Sequence, residues 1–192
     1  MKLIKTAWMV LVLVAAAYPQ TEDLGMSAFA NEKGAIKVAV DASLVDLNID
    51  KPYVMFGVYM AAGKQNQNLV VARDGVVMIY KGQEYKMPSI GEFRKNYGGE
   101  IHDVNLYRHL GKEGIISSWM RFYDFPLQGE FFPPLTLDSQ LPREEGSMYN
   151  FTGFQTKCYF KNPGLKKGDT LVLKVTAKNK PALTGDVTIT LK

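Results

Sequence analysis

The chain has 192 residues, 23 Lys and Arg against 19 Asp and Glu for a formal charge of +4, and one cysteine. That length suits one domain better than two and can bury a sizeable core without covalent help. The charge is mild and scattered with no dense Lys/Arg block, which excludes nucleic acid as the expected partner. A single cysteine, Cys158, excludes an internal disulfide, which fits a bacterial envelope better than a disulfide-stapled secreted module.

Residues 1–17 carry a basic head (Lys2, Lys5), an apolar run from Ala7 to Ala17 and a small-residue end, the three parts of a secretory signal peptide. The apolar run falls short of the roughly twenty residues needed to cross a bilayer. A second A-x-A sequence, Ala28-Phe29-Ala30, places an alternative cut after residue 30. Losing Lys2 and Lys5 leaves a charge of +2, and the later cut, which also removes Glu22 and Asp23, leaves +4. No cysteine lies near either cut to take a lipid. The expectation is a soluble, exported chain, periplasmic or extracellular, without a transmembrane segment in its mature form.

Residues 18–34 are polar, contain Pro19, Gly25 and Gly34, and read as a flexible lead to a single domain over residues 35–192. Ile36, Val38 and Val40 then alternate with Lys37, Ala39 and Asp41, the period-two pattern of a half-buried strand. Tyr53 to Ala62 is apolar almost throughout, as in a central strand covered on both faces. LVVAR and VVMIY flank Asp74-Gly75, which predicts a type I′ hairpin with Val71 opposite Met78 and Leu69 opposite Tyr80. Lys81-Gly82 marks a second turn before a short strand around Tyr85.

Ser89-Ile90-Gly91-Glu92 has the S-x-x-E form of a capping box. Ile90, Phe93 and Tyr97 share one helical face and Gly98 can end the helix, so the pattern predicts one short inserted helix over residues 90–97. A strand from Ile115 to Phe125 follows, stopped by Pro126 and broken into a loop by Gly129, Pro133 and Pro134. Pro142 to Gly146 is charged and loop-like. Three alternating strands close the chain, carrying Phe154 to Phe160, Leu171 to Val175 and Val187 to Leu191 on their apolar faces.

Strands at this spacing, rich in turns and nearly free of helix, indicate a mainly β fold, an antiparallel β-sandwich. The arrangement resembles immunoglobulin-like sandwiches in general architecture, most of all in NPGLKKGDTLVLKVTAKNKPALTGDVTITLK, and departs from antibody-type domains by lacking the Cys pair. The resemblance concerns architecture and carries no function with it.

Chemical signatures are weak. His102, Asp103 and His109 contain an H-D dipeptide, but an odd separation puts the two histidines on opposite faces of any strand that carries both. Two ordinary polar histidines near a loop is the simpler reading, and no metal or cofactor is expected. Cys158 shares an apolar face with Phe154 and Phe160, which suits an inert buried thiol. Ser117-Ser118 lacks the G-x-S-x-G elbow, and no phosphate-binding glycine loop occurs. Asn150-Phe151-Thr152 matches the N-glycosylation triplet, which matters only in a eukaryotic secretory pathway.

The densest chemistry lies between Trp119 and Phe132, where six aromatic residues fall within fourteen positions. On an extended chain Ser117, Trp119, Arg121 and Tyr123 share one face, and Ile116, Ser118, Met120 and Phe122 share the other. The second set looks like core. The first forms a candidate ladder of stacking faces and fixed positive charge, with the adjacent pair Phe131-Phe132 nearby in a turn that cannot easily bury both. Packing alone would also explain Trp119 and Arg121, as a core ring and the stem that covers it.

The expectation is therefore an exported, non-catalytic binding, accessory or assembly module whose ligand-binding residues are Trp119, Arg121, Tyr123, Phe131 and Phe132. A glycan, a peptide or another envelope protein is the expected partner. The alternative is a secreted hydrolase of polysaccharide or peptidoglycan, with acid-base groups from Asp124, Glu130 or the His102/Asp103 region.

Overall fold

The computed structural model describes residues 21–96, 116, 131 and 143–192. They form a mainly β structure of antiparallel sheets with two short helices. A five-stranded sheet has the order β1-β2-β3-β4-β9, built from Glu22–Gly25, Ala28–Asn31, Ile36–Asp41, Tyr53–Ala62 and Phe154–Lys161. A four-stranded sheet has the order β11-β10-β6-β7, from Thr184–Thr190, Thr170–Thr176, Val76–Tyr80 and Gln83–Lys86. The remaining strands, β5 (Asn68–Ala72) and β8 (Glu145–Tyr149), pair as a two-stranded ribbon.

The apolar run of β4 behaves as its composition requires. Every one of its residues is buried, and it pairs β3 on one side and β9 on the other. One face of the sheet places Ile36, Val38, Phe56, Val58, Phe154 and Phe160 in the main core, which also takes Met78, Leu171, Leu173 and Val187 from the four-stranded sheet and Leu69 and Met148 from the ribbon. Part of the other face is a patch of small residues, Ala28, Ala30, Ala39 and Ala61, with Tyr59, and Ile116 packs against it; further along the same face Tyr53 and Tyr159 take Phe93. Alanines lower that surface, so a covering side chain approaches the backbone closely.

Residues 22–31 do not belong to a flexible lead. They form β1 and β2, and Ala28, Phe29, Ala30 and Asn31 are all buried. Neither strand is long enough to show a period, since β1 and β2 have four residues each and are joined by a tight turn at Met26-Ser27, both at positive φ. Asp46 of α1 (Ser43–Leu47) fastens this corner by accepting from the Ser27 hydroxyl and from the Lys192 N–H at 3.0 Å.

The Asp74-Gly75 hairpin does not form either. β5 pairs β8, and β6 pairs β10 and β7, so the two runs lie in different sheets. Arg73–Gly75 is a single 3-10 turn that carries the chain from ribbon to sheet. Gly75 is needed for proximity, not for positive φ: a Cβ there would lie 2.7 Å from the Thr176 carbonyl oxygen. The next turn does follow its sequence, since Lys81 and Gly82 have φ of 50° and 78° and close the β6–β7 hairpin. The charged stretch expected as loop over Pro142 to Gly146 ends inside a strand: Glu145 and Gly146 open β8, where Gly146 and Met148 turn inward between Glu145, Ser147 and Tyr149.

Helix α2 (Ile90–Asn96) begins where the capping box placed it. The Ser89 hydroxyl accepts the Glu92 N–H at 3.1 Å. Phe93 is buried against Tyr53 edge-on, with centroids 5.7 Å apart, and against Tyr159 at 4.4 Å.

The five- and four-stranded sheets meet along β11. The Asn31 amide donates to the Asp186 carbonyl at 2.8 Å, and the Thr188 N–H donates to the Thr21 hydroxyl at 2.8 Å. Gly185 lies on the Ile36 carbonyl so closely that any Cβ would collide with it, and a Cβ on Gly34 would come within 3.1 Å of the Thr184 oxygen. Gly185→Ala should therefore force the strands apart and destabilise the fold by at least about 2 kcal/mol, read as a lower urea midpoint with an unchanged slope.

Candidate functional site

The structure brings two of the expected residues into view. Phe131 is fully buried and stands edge-to-face with Phe154, centroids 6.0 Å apart, while its N–H donates to the Thr156 hydroxyl at 3.2 Å. It belongs to the core and offers no ring face to solvent. Ile116 is buried, as expected, and is helical where a strand was expected; the rest of the expected strand lies outside the described residues. Trp119, Arg121, Tyr123 and Phe132 lie outside the described residues, as do His102, Asp103, His109, Asp124 and Glu130. Cys158 is buried, and burial pushes its thiol pKa up, against formation of a reactive thiolate.

The described surface that combines concavity with charge lies elsewhere, on the outer face of the four-stranded sheet. Register across the sheet aligns Lys86, Val77, Lys174 and Asp186 in one row. Their neighbours along each strand, Tyr85, Met78, Leu173 and Val187, point the opposite way and pack with the core. An open groove of about 380 Å³ covers part of this face, lined by Asp74, Val77, Glu84, Lys86, Lys174 and Lys178.

Charges in and beside the groove are partly matched. The Lys178 ammonium pairs with Glu145 of β8, and that hydrogen bond raises its pKa. Arg73 lies 3.6 Å from Glu144. Asp186, at the far end of the row, is half-buried, and its Oδ2 is enclosed without a hydrogen-bond partner. Burial raises its pKa, and the facing Lys174 offsets the rise only in part. The groove is shallow and salt-accessible, a geometry suited to holding a charged or polar partner.

Sequence reasoning missed this groove. Val77, Lys86 and Lys174 come from three strands, and the predicted Asp74 hairpin would have placed β6 beside β5 instead of β10. The available signal was Thr170, Lys174 and Thr176 alternating with Leu171, Leu173 and Val175. No family model, curated protein or solved structure matches the chain.

Two outcomes follow from these placements. Phe131→Ala should cost about 3–5 kcal/mol of stability, as for a buried ring, measured by chemical denaturation; a variant of unchanged stability would contradict the packing. Asp186 has a folded pKa above the ordinary 3.8, so the native state binds its proton more tightly and loses stability as pH rises from 3.8 through the folded pKa. Asp186→Asn should therefore stabilise the protein at neutral pH and leave it unchanged in acid below that window. Solvent screening of a half-exposed group keeps the gain under about 1 kcal/mol.

Proposed function

We propose that this protein is an exported, non-catalytic β-sandwich of immunoglobulin-like architecture that acts as a binding, accessory or assembly module in the cell envelope or outside the cell. Its first 17 residues supply the export signal. Of the two candidate cuts, the one after Ala17 fits this reading better, since a cut after Ala30 would remove β1 and most of β2 from the five-stranded sheet. The sandwich reading is supported by a single core drawn from all three sheets and by the contact of β11 with the β2–β3 side.

The observation that carries the binding role is the groove on the four-stranded sheet. Lys86 and Lys174 present ammonium groups on a rigid floor of paired strands, and no enclosing wall excludes water from it. Such a surface favours recognition of an extended partner over chemistry, which needs reacting groups converging in a dry cleft.

Purified mature protein should be retained by isolated envelope material, membranes and cell-wall polymer together, in a salt-sensitive manner. Joint replacement Lys86→Glu and Lys174→Glu should weaken retention by roughly 3- to 10-fold; Lys86→Glu alone should leave the unfolding midpoint near that of the parent, whereas the joint variant, which sets a carboxylate against Asp186, should lower it at neutral pH. Unaltered retention at low ionic strength would rule out the groove. Release of soluble saccharide that disappears in Asp124→Asn or Glu130→Gln would identify a hydrolase instead.

A further inference from the structure

We propose that the exposed face of the β5–β8 ribbon, with the turn at its end, is a binding site for a neutral saccharide chain. This deepens the preceding reading: it rests on the protein being a binding module and names a ligand class.

Alternation on β8 sends Gly146 and Met148 into the core and Ser147 and Tyr149 outward. Pairing with β5 sets Asn68 opposite Tyr149 and Val70 opposite Ser147. Tyr149 and Thr152 exchange N–H to carbonyl bonds of 2.9 Å each, closing a two-residue turn on Asn150 and Phe151. At this turn two large side chains are half exposed: Tyr149 at 50% and Phe151 at 49%.

The arrangement is held in place by the protein's own groups. Asn150 has a φ of 52°, and its side-chain oxygen accepts the Asn66 N–H at 2.7 Å, joining the turn to the loop before β5. Asn179 braces the far side of β5, accepting the Val70 N–H at 3.0 Å and donating to the Asn68 carbonyl at 3.1 Å. A surface ordered before its ligand arrives loses little entropy on binding.

The residue types select the ligand. Exposed aromatic rings match the apolar C–H face of a pyranose, and the exposed amide side chains of Gln65, Asn66 and Asn68 can both donate to and accept from hydroxyl groups. Ser147 adds a hydroxyl. Charge is nearly absent from this patch: Lys178 is paired with Glu145 at its border, and Lys64 is the exposed cation of the loop. A peptide adding as a strand to β5 would need that strand's outer edge, which Asn179 and the Lys178 N–H, bonded to the Val70 carbonyl at 2.7 Å, already occupy.

The test is titration of the isotope-labelled mature protein with cellopentaose and with chitopentaose at millimolar concentration, followed by amide NMR. Saturable shifts should appear at Asn66, Asn68 and residues 149–152. Tyr149→Ala should weaken binding at least about tenfold, Tyr149→Trp should preserve it, and both should keep the parent's unfolding midpoint. Absence of shifts with both saccharides, or binding indifferent to Tyr149→Ala and Phe151→Ala, overturns the site. Saturable binding of unstructured peptides at these amides, without saccharide binding, overturns the ligand class. Envelope retention that survives Tyr149→Ala but is lost on reversing Lys86 and Lys174 leaves the binding module standing and removes the saccharide site.

Discussion

The fold depends on one close approach of backbone to backbone. Gly185 of β11 rests on the Ile36 carbonyl of β3, and Gly34 faces the Thr184 oxygen across the same seam. Without side chains at these points, the Asn31 amide can reach the Asp186 carbonyl and β11 can lie against the five-stranded sheet. Apolar residues of both sheets then fall in one core cluster, Val38 and Val58 from the one and Leu173 and Val187 from the other. A side chain at the seam would act on both sheets together, because neither can shift without opening the cavity that the other fills.

That seam also determines which described surfaces are left exposed. β4 is buried on both faces, and β9 is buried along nearly its whole length. The alanine-lined face of the five-stranded sheet is covered where Ile116 packs. Among the described residues nothing covers the outer face of the four-stranded sheet or the ribbon beside it, and the two are continuous: Ala72 and Lys178 line the groove, while Lys178 pairs with Glu145 of the ribbon. Charge dominates one end of this surface and aromatic rings with amides the other. A partner that used both would meet fixed ammonium groups and stacking faces on one rigid scaffold.

Local signals were legible where one short stretch contained the whole cause. The β4 run, the Lys81-Gly82 turn, the Ser89 cap and the last three strands each follow from periodicity or positive φ within a few residues. Asp74-Gly75 misled because its composition suits a hairpin, whereas its backbone serves an approach by Thr176, a residue a hundred positions away in sequence. β1 and β2 are hidden in sequence because strands of four residues are too short to show a period and gain their order from neighbours; Ala28 and Ala30 are buried in a cluster with Ala39, Tyr59 and Ile116. Phe131 illustrates the same limit, since a proline-flanked aromatic reads as surface until the pocket beside Phe154 is known.

By itself the sequence determined a mainly β chain with alternating apolar faces, one short capped helix, a leader-like amino terminus and a cysteine suited to the core. These are consequences of side-chain period and local backbone preference, which neighbouring residues settle among themselves. Tertiary structure alone decided which strands pair, that Phe131 packs inward, and that Lys86, Val77 and Lys174 from three strands form one floor. It also placed Tyr149 and Phe151 beside the amides of the loop before β5. Pairing between distant strands is chosen by burial of the whole core and by clearance at Gly185 and Gly75, and neither quantity exists in any one stretch of chain.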